Sequence, residues 1–490
     1  MTPISVLKPH LVEAPSYRAI SSDSPFWYGK LIHLYLELKL GLQLVGAEGL
    51  QNARSAQKYI RLAAEAAQVT CDVFNGQLLE IHGRTLHLGL EYENAASLET
   101  QMKGAAALLH VLLKRAYGAG GPDGWRMAAD HGITLTVQAV GIHNDTSLVS
   151  LSPAANFPAK MLGRDEVSLW ELGSNLQEKW ECENLDELAS RYRSAELASV
   201  NKSGQGSPFD RLLERRAHVR NFSSLEEIQT GIKMVSAQAA SVGRPTDENP
   251  YSSFAVVLSM DLDGFTHRVK EAAEGTIEDK RRLAQDFRDI MTKTAAFATS
   301  RRETLIQFPF AGDNAIFAVV TESTSEYALM KKINPIEVAV AWEKEMGDKA
   351  RAAGFGGWGQ VVAGGSVPNG NSRGNLHVSG IELAGRRFLV GIGPGMRYSR
   401  EGFSHVDPSP KHVAIFQKDL PDLHEFLREV FEPCRSNKSD VSSVYKMARL
   451  ADLDNALTKV SEKRTTAVSK LADARIALTT GSIISRPYAE

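Results

Sequence analysis

Apolar and polar positions follow two different periods along this chain, and the switches between them outline its elements. Lys30 to Leu38 (KLIHLYLEL) alternates apolar with other residues, which is the period of a strand. Glu48 to Gln68, rich in Ala, Leu, Arg and Gln at helical spacing, predicts a helix. Val73 to Leu90 carries Asn75-Gly76 and a second break at Gly83, so it predicts paired strands joined by tight turns. Leu98 to Tyr117 reads as a helix stopped by the glycines of Gly118 to Gly121. Ile133 to Val140 is a further strand, and Ala155 to Leu162 opens a helix just after Pro153.

Ser194 to Pro250 breaks the pattern. Two polar stretches rich in Ser, Gly and Pro, SVNKSGQGSP and SVGRPTDENP, flank a charged helical segment, which predicts a linker with one or two helices. The earlier order of elements then returns. Ser253 to Met260 is a strand and Ile277 to Thr299 a helix. Leu305 to Val320 is a strand pair broken at Gly312. Leu329 to Ala353 is a helix, Gln360 to Val367 a strand, and a short helix opens at Met396. From Leu420 onward the pattern predicts charged helices, with apolar periodicity from Val444 to Leu478. The spacing from Glu37 to Arg84 nearly repeats that from Asp261 to Asp313, which points to one α/β unit used twice. A β-α-β-β-α-β unit with a hairpin is one solution among several.

Composition narrows the class. A chain of 490 residues exceeds one compact core. With 43% hydrophobic and 23% charged residues and a formal net charge of -2, it has the make-up of an ordinary soluble protein with no general attraction for nucleic acid or an anionic membrane. Cys71, Cys182 and Cys434 are scattered, so they predict inert thiols in a reducing cytoplasm. No apolar run is long enough to span a bilayer, and Met1 to Pro25 lacks a signal-type apolar core. The expected location is cytoplasmic.

The candidate chemistry lies in the second unit. Its first strand ends at Asp261-Leu262-Asp263-Gly264-Phe265-Thr266. A carboxylate there supplies a hard oxygen ligand, and the backbone N–H groups of Gly264, Phe265 and Thr266 stand at a helix start where a triphosphate can be received. Asp313 follows Gly312 at the hairpin turn, so two aspartates on adjacent strand ends could hold two metal ions against one triphosphate. Each piece has a plainer reading as well. The Asp-x-Asp-Gly string also fits a solvent turn or a piece of a calcium loop, and Gly-Asp fits a simple hairpin turn.

Together these residues resemble the class III nucleotidyl cyclases. That family's Asp-apolar-x-Gly-Phe-Thr motif is matched by Asp261 to Thr266, and its apolar-Gly-Asp hairpin by Ala311 to Asp313. The resemblance covers about residues 28–170 and 251–410 and is weaker in the first stretch, where the metal slots hold Glu37 and Arg84. The family's Asn-x-x-x-Arg helix motif becomes Asn156 to Lys160 in the first unit; in the second unit Arg397 is present, but Gly393 replaces Asn. Taken alone, Asn156 and Lys160 would read as a solvated helix face.

The resemblance implies an α/β fold of two ferredoxin-like cyclase domains, paired within the chain, plus a C-terminal helical region. The expected boundaries are 1–27 (extension), 28–192, 193–250 (linker), 251–418 and 419–490. It implies one composite site. Asp261, Leu262 and Asp313 take two divalent metal ions, Mn²⁺ or Mg²⁺. Gly264, Phe265, Thr266 and Glu80 bind nucleotide, and Asn156, Lys160 and Arg397 are catalytic.

Family members read the base four residues before the second metal slot, a position held here by Glu80, with a later slot near Val149 and Ser150. The Lys and Asp of adenylyl cyclases are therefore absent. A carboxylate would accept the N–H of guanine or of uracil, and Glu80 also fits a strand residue facing water. Two cyclase units with no receptor or membrane module resemble the bacterial pyrimidine cyclases of anti-phage signalling. That likeness implies UTP as substrate, cyclic UMP as product and a separately encoded effector, in a monomer or homodimer. A guanylyl or adenylyl cyclase and a nucleotide-binding regulatory pseudo-cyclase are the alternatives. A diguanylate cyclase is not, because its Gly-Gly-Asp/Glu-Glu-Phe hairpin does not occur.

Overall fold

The computed structural model describes residues 11–41, 49–92, 95–118, 120–140, 148–162, 170–173, 180–192, 207–214, 217–221, 225, 228, 250–301, 304–321, 334–364, 374–436 and 439–463. The first half runs β1 (Phe26–Lys39), α1 (Gly49–Val73), β2 (Gly76–His82), β3 (Thr85–Glu91), α2 (Ala95–Tyr117), β4 (Gly124–Gln138), β5 (Leu148–Leu151), α3 (Pro153–Leu162), β6 (Trp170–Gly173), β7 (Trp180–Glu183) and α4 (Leu185–Tyr192). Its sheet has the order β2-β3-β1-β4-β6-β7, with β5 also on β4.

Alternation in β1 decides its two faces. Ile32, Leu34, Leu36 and Leu38 enter one core with Ile60 and Ala64 of α1 and Leu109 and Leu112 of α2. His33, Tyr35 and Glu37 point to the other side, and all three are buried there.

A short helix (Pro208–Glu214) and strand β8 (His218–Asn221) lie in the segment expected to be a linker; most of that segment falls outside the described residues. The second half then repeats the order. It runs β9 (Tyr251–Asp263), α5 (Phe265–Glu274), α6 (Ile277–Ser300), β10 (Leu305–Ala311), β11 (Asn314–Thr321) and α7 (Asn334–Trp342), which continues through a π turn (Glu343–Gly347) and Asp348–Ala352. β12 (Gly357–Ala363) follows. The strand order β10-β11-β9-β12 matches β2-β3-β1-β4. Thr276 and Asp279 form a capping box that starts α6. Leu258, Met260 and Leu262 pack with Phe265, Phe287 and Ile290 in a second core, which also takes in Phe26, Val137 and Val149 from the first half.

Several elements depart from the sequence expectation. β4 begins at Gly124, nine residues ahead of the expected Ile133. A hairpin, β13 (Leu376–Leu383) and β14 (Arg386–Ile392), was not foreseen. Ile381, Phe388 and Val390 from it enter the core of the first half. At its tip the guanidinium of Arg386 donates to the backbone carbonyls of Leu78 and, at 3.0 Å, Leu79.

α8 (Pro394–Val406) and β15 (His412–Phe416) follow. The predicted all-helical C-terminus is corrected by β16 (Glu432–Ser436) and β17 (Ser439–Arg449), because β17 pairs antiparallel with β15 and extends the sheet. Open backbone groups on an edge strand can override a helical pattern in this way. Helix returns over 450–463, and the remainder of the expected helical region lies outside the described residues.

Candidate functional site

The two halves superimpose by register. Glu37 pairs with Thr85 of β3 and Arg126 of β4, while Asp261 pairs with Asn314 of β11 and Gly359 of β12. Both hairpins turn on a left-handed glycine, Gly83 at φ 53 and Gly312 at φ 59, a conformation that costs other residues about 1 kcal/mol or more. Arg84 and Asp313 therefore occupy equivalent turn positions.

Their chemistry is opposite. In the first half Glu37 Oε1 meets Arg84 Nη2 at 2.9 Å, and its Oε2 accepts from Arg126 Nε at 2.6 Å and Nη2 at 2.5 Å. Two guanidiniums thus balance one buried carboxylate. In the second half the same two positions offer a second carboxylate, Asp313, and a glycine, Gly359. Asn314 Nδ2 donates to Asp261 Oδ1 at 2.8 Å, and Asn314 Oδ1 accepts from Ser259 Oγ at 3.1 Å, which orients the Asp261 carboxylate. Asp261 and Asp313 are both partly exposed.

This donor set suits a hard divalent cation and the first-half set does not, because guanidinium has no lone pair to give. Leu262 has its side chain in the core and offers a cation only its main-chain carbonyl. Among the described residues no group of three or more His, Cys, Asp or Glu is arranged to hold a metal, so two aspartates would need oxygen donors from a substrate or solvent.

The remaining sequence candidates divide. Gly264, at φ 78, caps α5, and the N–H groups of Phe265 and Thr266 open that helix, as expected for an anion-receiving turn. The Phe265 side chain is core, against Phe287 and Phe355, and leaves only its backbone for a ligand. Asn156 and Lys160 lie in α3; their side chains fall outside the described set. α3 itself packs on β4 and touches α5, the helix that begins at the aspartate motif of the other half. Arg397 Nε donates to Glu401 Oε1 at 2.6 Å on its own helix. The glycine at 393 has a steric cause: a Cβ there would lie 2.2 Å from the carbonyl oxygen of Asn375.

Glu80 is not a water-facing strand residue. It is buried, and the backbone N–H of Gly312 from the opposite half favours its charged form. Burial pushes its pKa up to about 8, against the pull of that N–H and of Arg400 and Arg386. Around it burial drives His33 and His82 down to about 3 and holds His87 well below the ordinary histidine range, so these imidazoles are neutral. The later base slot falls on β5. Val149 is core, while Ser150 Oγ and its cross-strand neighbour Thr136 Oγ1 are buried without a hydrogen-bond partner among the described residues.

Sequence reasoning missed Arg126, Asn314 and Arg400, the last donating to Thr85 Oγ1 at 3.3 Å across the halves. Only Asn314 carried a local signal, as the residue after Asp313. A cavity of about 650 Å³ between Trp27, Lys30, Tyr92 and Gln101 lies at the far end of β1 from Glu37 and contains none of the candidates.

Against solved structures, the chain is similar to a class III adenylyl cyclase-like ATP-binding protein from Pseudomonas aeruginosa. The TM-score is 0.62 and the identity 14%, over 92% of this chain and 95% of that one. The mixed α/β fold is that of a class III cyclase-like protein. The guanylyl cyclase Cya2 (TM-score 0.27, 15% identity, 40% of this chain and 90% of its own) and the adenylyl cyclase CyaB from P. aeruginosa (0.28, 13%, 40% and 92%) overlap it only slightly. No protein-family model and no curated protein matches the sequence. No described helix is long and apolar enough to cross a membrane.

Proposed function

We propose that this protein is a metal-dependent nucleotidyl cyclase with one working site, formed where its two halves meet. In this reading residues 28–192 and 251–418 are two cyclase-like domains paired within the chain. Residues 1–27, 193–250 and 419–490 are an extension, a linker and a C-terminal region. The observation that carries the proposal is the meeting of the halves at the aspartates. β2 of the first half packs against β10 of the hairpin that carries Asp313, and α3 lies against α5. That contact supports a site to which each half contributes.

The reaction joins the ribose 3′-oxygen to the α-phosphorus of a nucleoside triphosphate as the bond from that phosphorus to pyrophosphate breaks; the 3′-hydroxyl loses its proton. Asp261, Asp313 and the Leu262 carbonyl would hold divalent cations, which neutralise triphosphate charge and lower the pKa of the 3′-hydroxyl when bound. The N–H groups at Gly264 to Thr266 receive phosphate oxygens at the positive end of α5. Asn156 donates to the oxygens gaining charge at the α-phosphorus, and Lys160 adds a point charge with less directional control than arginine. Arg397, hydrogen-bonded to Glu401, is the further catalytic candidate, a cation supplied by the second half.

UTP is the favoured substrate and cyclic UMP the product, acting on a separate effector in anti-phage signalling. Glu80 stands where an adenylyl cyclase needs lysine, and the unpartnered hydroxyls of Ser150 and Thr136 are suited to a base rich in carbonyl oxygens. The Glu37–Arg84–Arg126 cluster favours a second reading, a nucleotide-binding regulator without turnover.

Incubation with ATP, GTP, CTP or UTP and Mn²⁺, with the products identified by mass, tests both. Cyclic UMP is the expected result. Cyclic GMP or cyclic AMP keeps the cyclase and removes the uridine assignment, whereas nucleotide bound without product selects the regulator. Asn156→Ala is expected to lower kcat about 100-fold while nucleotide affinity changes by less than about threefold, since its contact belongs to the transition state. An equal loss in binding and turnover would take Asn156 out of the catalytic step.

A further inference from the structure

We propose that Asn314 and Ser259 are positioning residues for the metal site: Ser259 fixes the Asn314 amide, and the amide holds the Asp261 carboxylate in the attitude in which it takes a divalent cation. The inference rests on the reading of Asp261 and Asp313 as the metal pair.

The strand register puts the three side chains together. Asn314 stands directly opposite Asp261 in the β11–β9 ladder, and Ser259, two residues before Asp261, points to the same face of β9. Asn314 is thus a cross-strand neighbour of Asp261 and a diagonal neighbour of Ser259. Asn314 Nδ2 lies 2.8 Å from Asp261 Oδ1, and Ser259 Oγ lies 3.1 Å from Asn314 Oδ1. From the other flank β12 offers Asp261 no side chain. The residue opposite is Gly359, where a Cβ would lie 2.0 Å from the carbonyl oxygen of Pro408.

Donor and acceptor roles fix the direction of the string. An ionised carboxylate only accepts, so the amide turns its N–H to Asp261 and its carbonyl to Ser259. The Ser259 hydroxyl then donates to that carbonyl. With the amide reversed, its oxygen would face a carboxylate oxygen at 2.8 Å, two acceptors with no proton between them. Ser259 is only 1% exposed, so water does not compete for its hydroxyl. A hydrogen bond accepted at one end of an amide also polarises the N–H at the other. A buried serine therefore backs a partly exposed carboxylate through one amide.

The first half lacks this string. In the equivalent register Tyr35 stands for Ser259 and Thr85 for Asn314. Tyr35 stacks on His87 at 4.0 Å, and the Thr85 hydroxyl accepts from Arg400. Glu37 is held there by guanidiniums, which neutralise it. An amide is uncharged, so it orients a carboxylate and leaves the negative charge for a cation. The two kinds of support thus match the two kinds of slot. Neighbouring carboxylates also repel, and the tie from Asn314 opposes the swing of Asp261 away from Asp313.

The test follows the binding of Mn²⁺ together with inorganic tripolyphosphate by electron paramagnetic resonance, which needs no turnover. It compares the whole protein with Asn314→Ala, Ser259→Ala, the double variant and Asp261→Ala. Asn314→Ala is expected to weaken Mn²⁺ binding about 10-fold or more, the usual effect of losing a group that orients a metal ligand. Ser259→Ala should weaken it about threefold, the contribution of one hydrogen bond. It should add nothing in the Asn314→Ala background, where the amide it fixes is gone. Should Asn314→Ala not fold, Asn314→Leu, of similar size and without a donor, takes its place with the same expectation. Wild-type Mn²⁺ binding in Asn314→Ala overturns the proposal. So does a Ser259→Ala loss that is absent, or that recurs in full once Asn314 is gone. Wild-type binding in Asp261→Ala would instead remove the metal-pair reading on which the proposal stands.

Discussion

Asp313→Ala should reduce cyclic nucleotide formation by about 100- to 1,000-fold or more while leaving the protein folded. The loss follows from the charge it removes: with the position emptied, the cation is held by Asp261 and main-chain oxygen alone, and a group that stabilises developing charge commonly contributes that much. The fold should tolerate the change because Asp313 is a partly exposed residue in a turn whose conformation is set by Gly312. Its removal leaves no cavity, so unfolding stability should move by less than about 1 kcal/mol. Asp261→Ala should match the loss of activity but cost somewhat more stability, since Asn314 Nδ2 then loses its acceptor. Product formation by mass spectrometry, alongside thermal melting, reads both quantities. Turnover within tenfold of wild type in either variant would show that these carboxylates are not the metal pair.

A second large effect is expected where no chemistry is assigned. Arg126→Met should destabilise the protein by about 3–5 kcal/mol, because it strips the Glu37 carboxylate of its closest donor in a buried setting. Arg84→Met should cost about 1 kcal/mol or less, as that side chain is 32% exposed and water can replace it. The double variant Glu37→Met/Arg126→Met should recover most of the loss, since it leaves no uncompensated charge. Urea unfolding of the three variants checks the ordering. Equal costs for Arg84→Met and Arg126→Met would mean that the cluster is not organised around the buried pair. Metal affinity at Asp261 and Asp313 should be unchanged throughout, which separates a cluster that replaces metal in one half from a site that binds it in the other.

The likeness between the halves was legible because its signals are local. Alternation in KLIHLYLEL and SFAVVLSM marks β1 and β9, and Gly83 and Gly312 mark the hairpin turns, each within a few residues. The repeat then aligned Arg84 with Asp313, and the strand registers agree with it. What escaped was everything that depends on residues distant in the chain. Arg126 meets Glu37 across 89 positions. Neither residue signals the other, and Arg126 lies ahead of the strand that the sequence pattern starts at Ile133. The C-terminal strands β16 and β17 were read as helix because their apolar spacing suits either state, and the edge of β15 decided between them.

Glu80 shows the same division at the candidate site. Its place in the repeat singled it out, but sequence left open whether it faces water or a base. It is buried, with the tip of the other half's hairpin close by. By itself the sequence determined the repeated βαββαβ order, the turn glycines, and the unequal distribution of carboxylates and guanidiniums between the halves. Those features rest on backbone periodicity and residue chemistry, which act over a few neighbours. Only the tertiary structure decided that Arg126 closes on Glu37, that the β13–β14 hairpin enters the opposite core, and that Glu80 is buried. Each depends on burial, which drew apolar side chains of the hairpin into the opposite core and left desolvated polar groups to find partners wherever the fold had brought them.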